Sequence, residues 1–175
     1  QINCILTKSG EKKTISWSNV TLLDENNEVE NITSLGIDIT EKQIIENKLK
    51  ESEERYRKLV ENSPTGIITI DVHGKIIDIN PKLLEILGSP SEEVTKQINF
   101  FQFKPLIEAG VTDAFKKCID EREYITSENP YLSKWGKQTY LRYHIVPIIN
   151  EQGEVEKLQA TVEDFTEKKQ TELEL

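Results

Sequence analysis

The chain has 175 residues, of which 36% are hydrophobic and 30% charged, and its formal net charge is −9. This acidic balance argues against a nucleic-acid-binding surface, which needs clustered Lys and Arg. No run approaches the ~20 apolar residues of a transmembrane helix, and Cys4 and Cys118 form neither a disulfide framework nor a zinc-binding spacing. We therefore expect a cytoplasmic setting with reduced thiols, no direct membrane contact and no metal site.

A segment near the start of the chain is repeated near its end. Residues 7–42 align without a gap with residues 133–168, and both copies close on Asp-x-Thr-Glu-Lys. An internal repeat predicts two modules of the same kind. Only the second module has its front half in the sequence, and the chain begins with Gln1, so we interpret it as a fragment of a longer protein.

Residues 1–36 contain apolar runs separated by two turns, Ser9-Gly10 and Asn26-Asn27. Glycine tolerates the positive φ that tight hairpin turns require, and asparagine tolerates it better than most other residue types. The pattern predicts a partial β-hairpin of two or three strands that has lost its sheet partners. Because open strand edges pair readily, we expect this part to be mobile or to dock on another chain.

A helix is predicted after these strands, because residues 37–63 contain neither Gly nor Pro. Residues 40–43, Thr-Glu-Lys-Gln, have the form of a capping box. Apolar positions with 4-3-4-3 spacing and one polar member predict the seam of a coiled-coil homodimer. A solvated connector that rests on its own domain is the alternative. The seam residues are Ile45, Leu49, Ser52, Tyr56 and Leu59.

The second module shows strand patterns at both ends. Gly74, Gly136 and Gly153 mark its turns, and Leu141 and Tyr143 alternate with polar neighbours such as Arg142, which is expected at the surface. Strands are predicted over residues 66–72, 75–80, 139–149 and 154–165.

Helices are predicted between these strands. Asn80 caps a helix over residues 81–87 that has Pro81 in its first turn and stops at Gly88. A second short helix is predicted over residues 91–97. A longer one is predicted over residues 104–121, although Gly110 lowers its helical propensity.

The ordered set of these features resembles the PAS sensor family. The order is strand, strand, short helices, long helix and three strands, closed by Asp-x-Thr. The resemblance covers nearly the whole chain, and its ordered motifs are more specific than any single one. The residues that carry it are 54–68, 71–76, 79–81, 147–155 and 164–168, with 38–42 as an earlier copy of the closing motif.

The resemblance implies an α+β fold. Its core is a five-stranded antiparallel sheet of order 2-1-5-4-3 with helices on one face. The implied parts are the tail of a truncated upstream PAS domain (1–40), a linker helix (41–62), a complete PAS domain (63–166) and the start of the next linker helix (167–175).

The resemblance also sets expectations for cofactors. The flavin-binding photoreceptors of this family carry a Cys in the stretch equivalent to residues 97–103, where this chain has none. Haem binding usually needs a His on or near the long helix, and residues 104–121 contain none. We therefore expect neither haem nor covalent flavin, and an interior that holds a small apolar ligand or nothing.

The interior between sheet and helices is the candidate ligand pocket, although most of its residues would serve equally well as ordinary core. The candidates are Ile68, Ile70, Phe101, Phe103, Phe115, Leu141, Tyr143 and Ile145. No catalytic residues are predicted, since the chain lacks a nucleophile elbow, a phosphate-binding loop and a zinc spacing, and His73 and His144 read as surface residues. This fragment is therefore not expected to be an enzyme.

The closing motifs are candidates for signal transmission. Asp164 ends the last strand and Thr166 begins the next helix, so both can accept hydrogen bonds from helix-start amides. Asp38 and Thr40 repeat the arrangement. A plain helix cap and a stiff joint that passes strain into a linker helix are compatible interpretations.

Together these features predict a sensory relay segment of a signalling protein, with a sensor histidine kinase as the favoured parent. Its partners would be a second copy and other domains of the same chain. A ligand-free dimerisation scaffold is the alternative function.

Overall fold

The computed structural model describes residues 1–173. They form two compact units, Gln1–Tyr56 and a second that begins at Arg57. None of the helices in this described part combines the length and apolar character that a membrane crossing requires.

The first unit is built on an antiparallel sheet of three strands, β1 (Ile2–Leu6), β2 (Lys12–Leu23) and β3 (Val29–Asp38), in the order β1-β2-β3. The expected hairpin therefore has three strands. Every residue of β3 is exposed, so β3 is an open edge within this unit. Helix α1 (Thr40–Glu61) follows β3 directly.

The second unit contains a five-stranded antiparallel sheet of order β5-β4-β8-β7-β6. Counted from the start of this unit, the order is 2-1-5-4-3, as the resemblance implies. The strands are β4 (Gly66–Asp71), β5 (Ile76–Ile79), β6 (Ile125–Leu132), β7 (Gln138–Ile149) and β8 (Val155–Asp164).

Helices join β5 to β6, and one follows β8. They are α2 (Pro81–Leu87), α3 (Glu92–Lys96), α4 (Lys104–Glu108), α5 (Val111–Glu121) and α6 (Thr166–Leu173). Asn80 caps α2 by accepting from Leu83 N, and Gly88 ends it in the left-handed region, as the sequence predicts.

The single helix predicted over residues 104–121 is wrong. The segment is two helices, because Gly110 adopts φ 74° between them. A left-handed residue cannot continue an α-helix, and glycine takes that conformation without the steric cost that a side chain would add.

The core of the second unit lies between the helices and one face of the sheet. Ile70, Ile145 and Leu158 are fully buried at its centre, and Phe115 and Cys118 of α5 pack over them. Strand alternation in β7 explains this, because Leu141, Tyr143 and Ile145 share the inner face.

The sequence repeat is also a structural repeat. β1 and β2 pair with Ile2 opposite Ser16, and β6 and β7 pair with the equivalent residues, Glu128 opposite Arg142. β2 and β3 likewise match β7 and β8 in register. The first sheet therefore reproduces the last three strands of the second, and β3 lacks the neighbour that β8 has in β4.

Candidate functional site: an apolar cavity and the helix joints

An apolar cavity of about 60 Å³ lies inside the second unit, between the helices and the sheet. Aliphatic and aromatic side chains form its wall, and none of the lining residues is charged. The lining residues are Ile68, Ile76, Leu83, Leu87, Thr95, Ile98, Phe100, Phe103, Leu106, Val111, Phe115, Tyr131, Trp135, Leu141, Tyr143 and Val162.

Five of the eight pocket candidates form part of this wall: Ile68, Phe103, Phe115, Leu141 and Tyr143. The other three do not. Ile70 and Ile145 are fully buried in the core away from the cavity, and Phe101 packs edge-on against Phe100. Strand alternation identifies the face on which a residue lies but not its depth along the strand, which explains Ile70 and Ile145. Phe101 lies in a turn before α4, where no alternation applies.

The aromatic residues Tyr131 and Trp135 were missed by sequence reasoning. Tyr131 lies on β6, a strand without a clear alternation, and Trp135 lies in the turn between β6 and β7. Neither position carries a periodic signal, so the contribution of both to the wall is visible only in the folded chain.

The polar groups of the cavity are held neutral. Burial raises the pKa of the Tyr131 hydroxyl to about 12 and also raises the pKa of the Tyr143 hydroxyl. Tyr143 donates to Asn129 Oδ1 over 2.6 Å, and Asn129 Nδ2 donates to the Ala109 carbonyl over 2.7 Å. This chain of bonds links the cavity wall to the break between α4 and α5.

The candidate joint at the end of the second unit ties three elements together. Asp164 Oδ1 accepts from both the amide and the hydroxyl of Thr166. The Thr166 hydroxyl in turn accepts from the Tyr140 amide of β7 over 2.9 Å, and the Phe165 amide donates to the Tyr140 carbonyl over 2.7 Å. The joint therefore fixes the start of α6 to β7 as well as to β8.

The same joint occurs at Asp38 and Thr40. Asp38 Oδ1 accepts from the Thr40 amide and hydroxyl, and the Thr40 hydroxyl accepts from the Thr14 amide over 2.8 Å. The predicted capping box is therefore wrong, as is the prediction that the threonine hydroxyls accept from helix-start amides. In both copies the aspartate caps the helix, and the threonine accepts from a neighbouring strand.

The two joints differ in their cations. In the first, Lys13 Nζ lies 2.8 Å from Asp38 Oδ2 and, as the leading cause, lowers the pKa of that carboxyl. In the second, Thr139 takes the equivalent position. There Arg142 lies 3.6 Å from the centroid of the Phe165 ring and donates from Nε to Glu128 over 2.6 Å.

The sequence pattern predicts Arg142 as a surface residue. In the structure it is half-buried at the joint. Phe165 is only 4% exposed, and Glu128 also lies 3.8 Å from Lys169 of α6. This cluster connects β6, β7 and α6. The strand pattern could not reveal it, because Glu128 and Arg142 meet only through the register of the β6–β7 pair.

Asn80 organises the beginning of the second unit. Its side chain is 1% exposed and accepts from the amides of Ile67 and Leu83. It also donates to the carbonyl groups of Val60 and Thr65, over 3.1 and 2.9 Å. The sequence identified Asn80 as a helix cap but gave no sign that the same side chain binds the last turn of α1.

The proposed seam of α1 is uncovered within the described chain. No residue of α1 is buried. Ile45, Leu49, Tyr56 and Leu59 are each more than half exposed, and Ser52 is exposed as well. A partner chain at the seam stays a prediction.

The family assignment follows from this geometry and from sequence comparison. A family model described as "PAS domain" matches residues 54–120, and the five-stranded sheet with its helices has the fold that the resemblance implies. The chain contains a PAS domain. Among curated proteins, no sequence matched.

Solved structures agree with the assignment. The PAS domain of an HTR-like protein from Haloarcula marismortui is 25% identical with a TM-score of 0.55, covering 70% of this chain and 98% of that one. A domain of a sensory box sensor histidine kinase/response regulator from Geobacter sulfurreducens is 20% identical with a TM-score of 0.53, covering 66% and 96%. An RNA-binding light-oxygen-voltage receptor has the same fold at 11% identity, with a TM-score of 0.54 over 95% of this chain and 78% of that one.

The thiols and histidines of the PAS domain lie outside its cavity wall. Cys118 is buried in α5 and donates to the Glu123 carbonyl over 3.1 Å, and burial raises the pKa of its thiol. His73 is in the turn after β4. His144 is on the outer sheet face, with Nδ1 2.6 Å from the Tyr124 hydroxyl oxygen. The chemistry offered by the wall is therefore apolar contact and neutral hydrogen bonding.

Proposed function

We propose that this chain is a sensory relay segment of a cytoplasmic signalling protein, with a sensor histidine kinase as the favoured parent. A small molecule or a partner would alter the sheet of the PAS domain. The change would leave through Asp164, Phe165 and Thr166 into α6. Catalysis is assigned to other parts of the parent protein and not to this segment.

The observation that carries this proposal is the duplicated joint. Two helices, α1 and α6, begin at threonines whose hydroxyls are bound to a strand amide, from Thr14 and Tyr140 respectively. A helix attached in this way responds when the strand moves, because the hydrogen bond joins the moving element to the first helical turn. A few kcal/mol of differential binding between two states would be enough to change their populations.

The parent class is supported by fold comparison alone. Sensor histidine kinases are among the proteins whose domains share this fold, but a fold is compatible with many functions. Under this proposal residues 1–40 are the end of an upstream PAS domain, and α1 transmits its state by pairing with α1 of a second copy.

An insertion in α1 tests transmission. One alanine inserted after Ser52 rotates all downstream residues by about 100° around the helix axis. In the parent protein we expect the response to stimulus to be lost or inverted. Insertion of a full heptad at the same point restores the phase of the seam and is the matched control. An unchanged response to the single insertion would make α1 a passive tether.

A second function, a ligand-free dimerisation scaffold, is favoured by the size of the cavity. At about 60 Å³ it is well below the ~150 Å³ that holds a benzene molecule in an engineered protein cavity. Native mass spectrometry of the chain purified from its own host separates the two. A co-purifying small molecule supports sensing, whereas a dimer of bare chain mass supports the scaffold.

A further inference from the structure

The mouth of the cavity is marked by the lining residues that are only partly buried. Most of the wall residues are buried, but five lining residues are partly exposed: Leu87, Ile98, Phe103, Leu106 and Trp135. Four of them belong to helices or to the segments that join helices. Trp135 alone comes from the β6–β7 turn.

The turn that carries Trp135 is stiff. The Ser133 hydroxyl accepts from the amides of Trp135 and Lys137, and the Ser133 carbonyl accepts from Gly136, which adopts φ 83°. Ser133 itself is 4% exposed. The backbone of Trp135 therefore moves together with the whole turn.

One long-range hydrogen bond fastens this turn to α2. Lys137 Nζ donates to the Glu85 carbonyl over 2.8 Å, at the carbonyl-rich end of that helix, where a cation is favourable. The stem of Lys137 lies against Gly88, where an added Cβ would come within 3.3 Å of Lys137 Cβ. Lys137 therefore acts as a latch that holds the turn against the cavity mouth.

Size and chemistry together specify what could enter. The cavity has less than half the volume of an engineered cavity that holds a benzene molecule, so we expect a ring-sized molecule to displace part of the wall. An indole is the largest group that a lining residue could withdraw. A charged molecule is disfavoured, because the wall offers no charged side chain to pair with it.

We propose that Trp135 is a displaceable plug, and that the ligand of the PAS domain is an uncharged ring compound that takes the place of its indole. This inference rests on the proposed sensing function and adds the route and the chemical class. It also connects binding to the sheet, because the displaced turn joins β6 to β7, the strand that carries the contacts of Tyr140 to the α6 joint.

Fluorescence tests the displacement directly. The chain has two tryptophans, so the substitution Trp17→Phe leaves Trp135 as the sole indole. Toluene, which does not absorb at the excitation wavelength of tryptophan, is the probe. We expect a saturable red shift of Trp135 emission as the indole moves into water. Saturable toluene binding by calorimetry without any change in emission would overturn the proposal.

Two further variants test the plug and the latch. Trp135→Ala should bind indole at least tenfold more tightly than the unsubstituted chain, because it leaves an indole-sized space. Lys137→Ala should strengthen toluene binding roughly two- to tenfold, the effect of one lost hydrogen bond. Lys134→Ala, in the same turn but exposed, is the matched control and should leave binding unchanged. Should Trp135→Ala not fold, Trp135→Leu replaces it.

The outcomes separate this inference from the sensing function. If toluene or indole binds equally to all variants, the plug is wrong, but ligand sensing survives. If no variant binds either probe, the plug is also wrong, and native mass spectrometry of the chain from its host then decides the sensing function by itself.

Discussion

Asn80 donates through its buried side chain to the Val60 carbonyl over 3.1 Å, so that a helix cap of the PAS domain also holds the last turn of the helix that precedes it. The same carboxamide accepts from Ile67, the second residue of β4, over 2.7 Å. A movement of α1 at Val60 is thereby coupled to the first strand of the sheet. Asn80 thus ties the helix before the domain to β4, and Thr166 ties the helix after the domain to β7.

Asn80→Asp should destabilise the PAS domain by about 2–4 kcal/mol. The substitution keeps an oxygen for the amides of Ile67 and Leu83, but it removes both donors and places a carboxylate against the carbonyl oxygens of Val60 and Thr65. Urea unfolding followed by circular dichroism measures the loss.

Asn150→Asp is the matched control for this change. Asn150 uses its Oδ1 to accept from the amides of Gln152 and Glu154, and Asp24 and Asp71 do the same in equivalent turns. Asn150→Asp should therefore leave the free energy of unfolding nearly unchanged. Equal losses for the two variants would contradict the role assigned to the Asn80 donors.

Thr166→Val should loosen the joint without changing the shape of its side chain. The Tyr140 amide loses its acceptor, at a cost of about 1–2 kcal/mol, and its hydrogen exchange should accelerate by at least tenfold. Amide exchange measured by NMR checks this. Thr171→Val, whose hydroxyl donates only within α6 to the Glu167 carbonyl, should leave the Tyr140 amide protected; acceleration by both variants would indicate general fraying instead.

The first joint should weaken in acid. Lys13 and Thr40 lower the pKa of Asp38 in the folded chain, whereas an unfolded aspartate titrates near ~3.9. A lowered folded pKa gives stability that is present above the unfolded pKa and lost as the pH falls through the folded pKa. We therefore expect the first sheet to lose stability below about pH 4.

NMR titration of the Asp38 carboxyl carbon measures this effect. Lys13→Ala should raise the pKa of Asp38 toward the unfolded value, because it removes the leading cause of the shift. A titration of Asp38 that is the same with and without Lys13 would exclude the ion pair as that cause.

The seam of α1 should control association. Ile45, Leu49 and Leu59 are 59%, 58% and 68% exposed, and their joint truncation to Ala should raise the dimer dissociation constant at least tenfold. Light scattering over a concentration series measures the change. Ile44→Ala removes a neighbouring exposed side chain that lies off the 4-3-4-3 spacing and should have little effect. A dimer that resists the triple truncation has its contact elsewhere.

Local features of the fold were predictable because adjacent residues determine them. Gly88 ends α2 and Gly153 forms a hairpin turn, since each adopts a backbone conformation that side chains disfavour. The effect of Gly110 was underestimated. Helix propensity gives only the cost of a glycine inside a helix, and it does not predict whether that glycine adopts a positive φ and ends the helix. In the folded chain the break at Gly110 is held in place, because the Asn129 side-chain amide donates to the carbonyl of the neighbouring Ala109.

The sequence by itself determined the repeat, because two stretches of one chain can be compared directly. It also determined the strand alternation and the Asn80 cap of α2, because each of these is read over a few neighbouring positions. The tertiary structure alone decided that Arg142 stacks on Phe165, that Thr166 binds the Tyr140 amide and that Trp135 closes a cavity wall. Those contacts join residues that are far apart in the chain. They depend on strand register and helix packing, which bring side chains together only after many weak interactions have been satisfied at once.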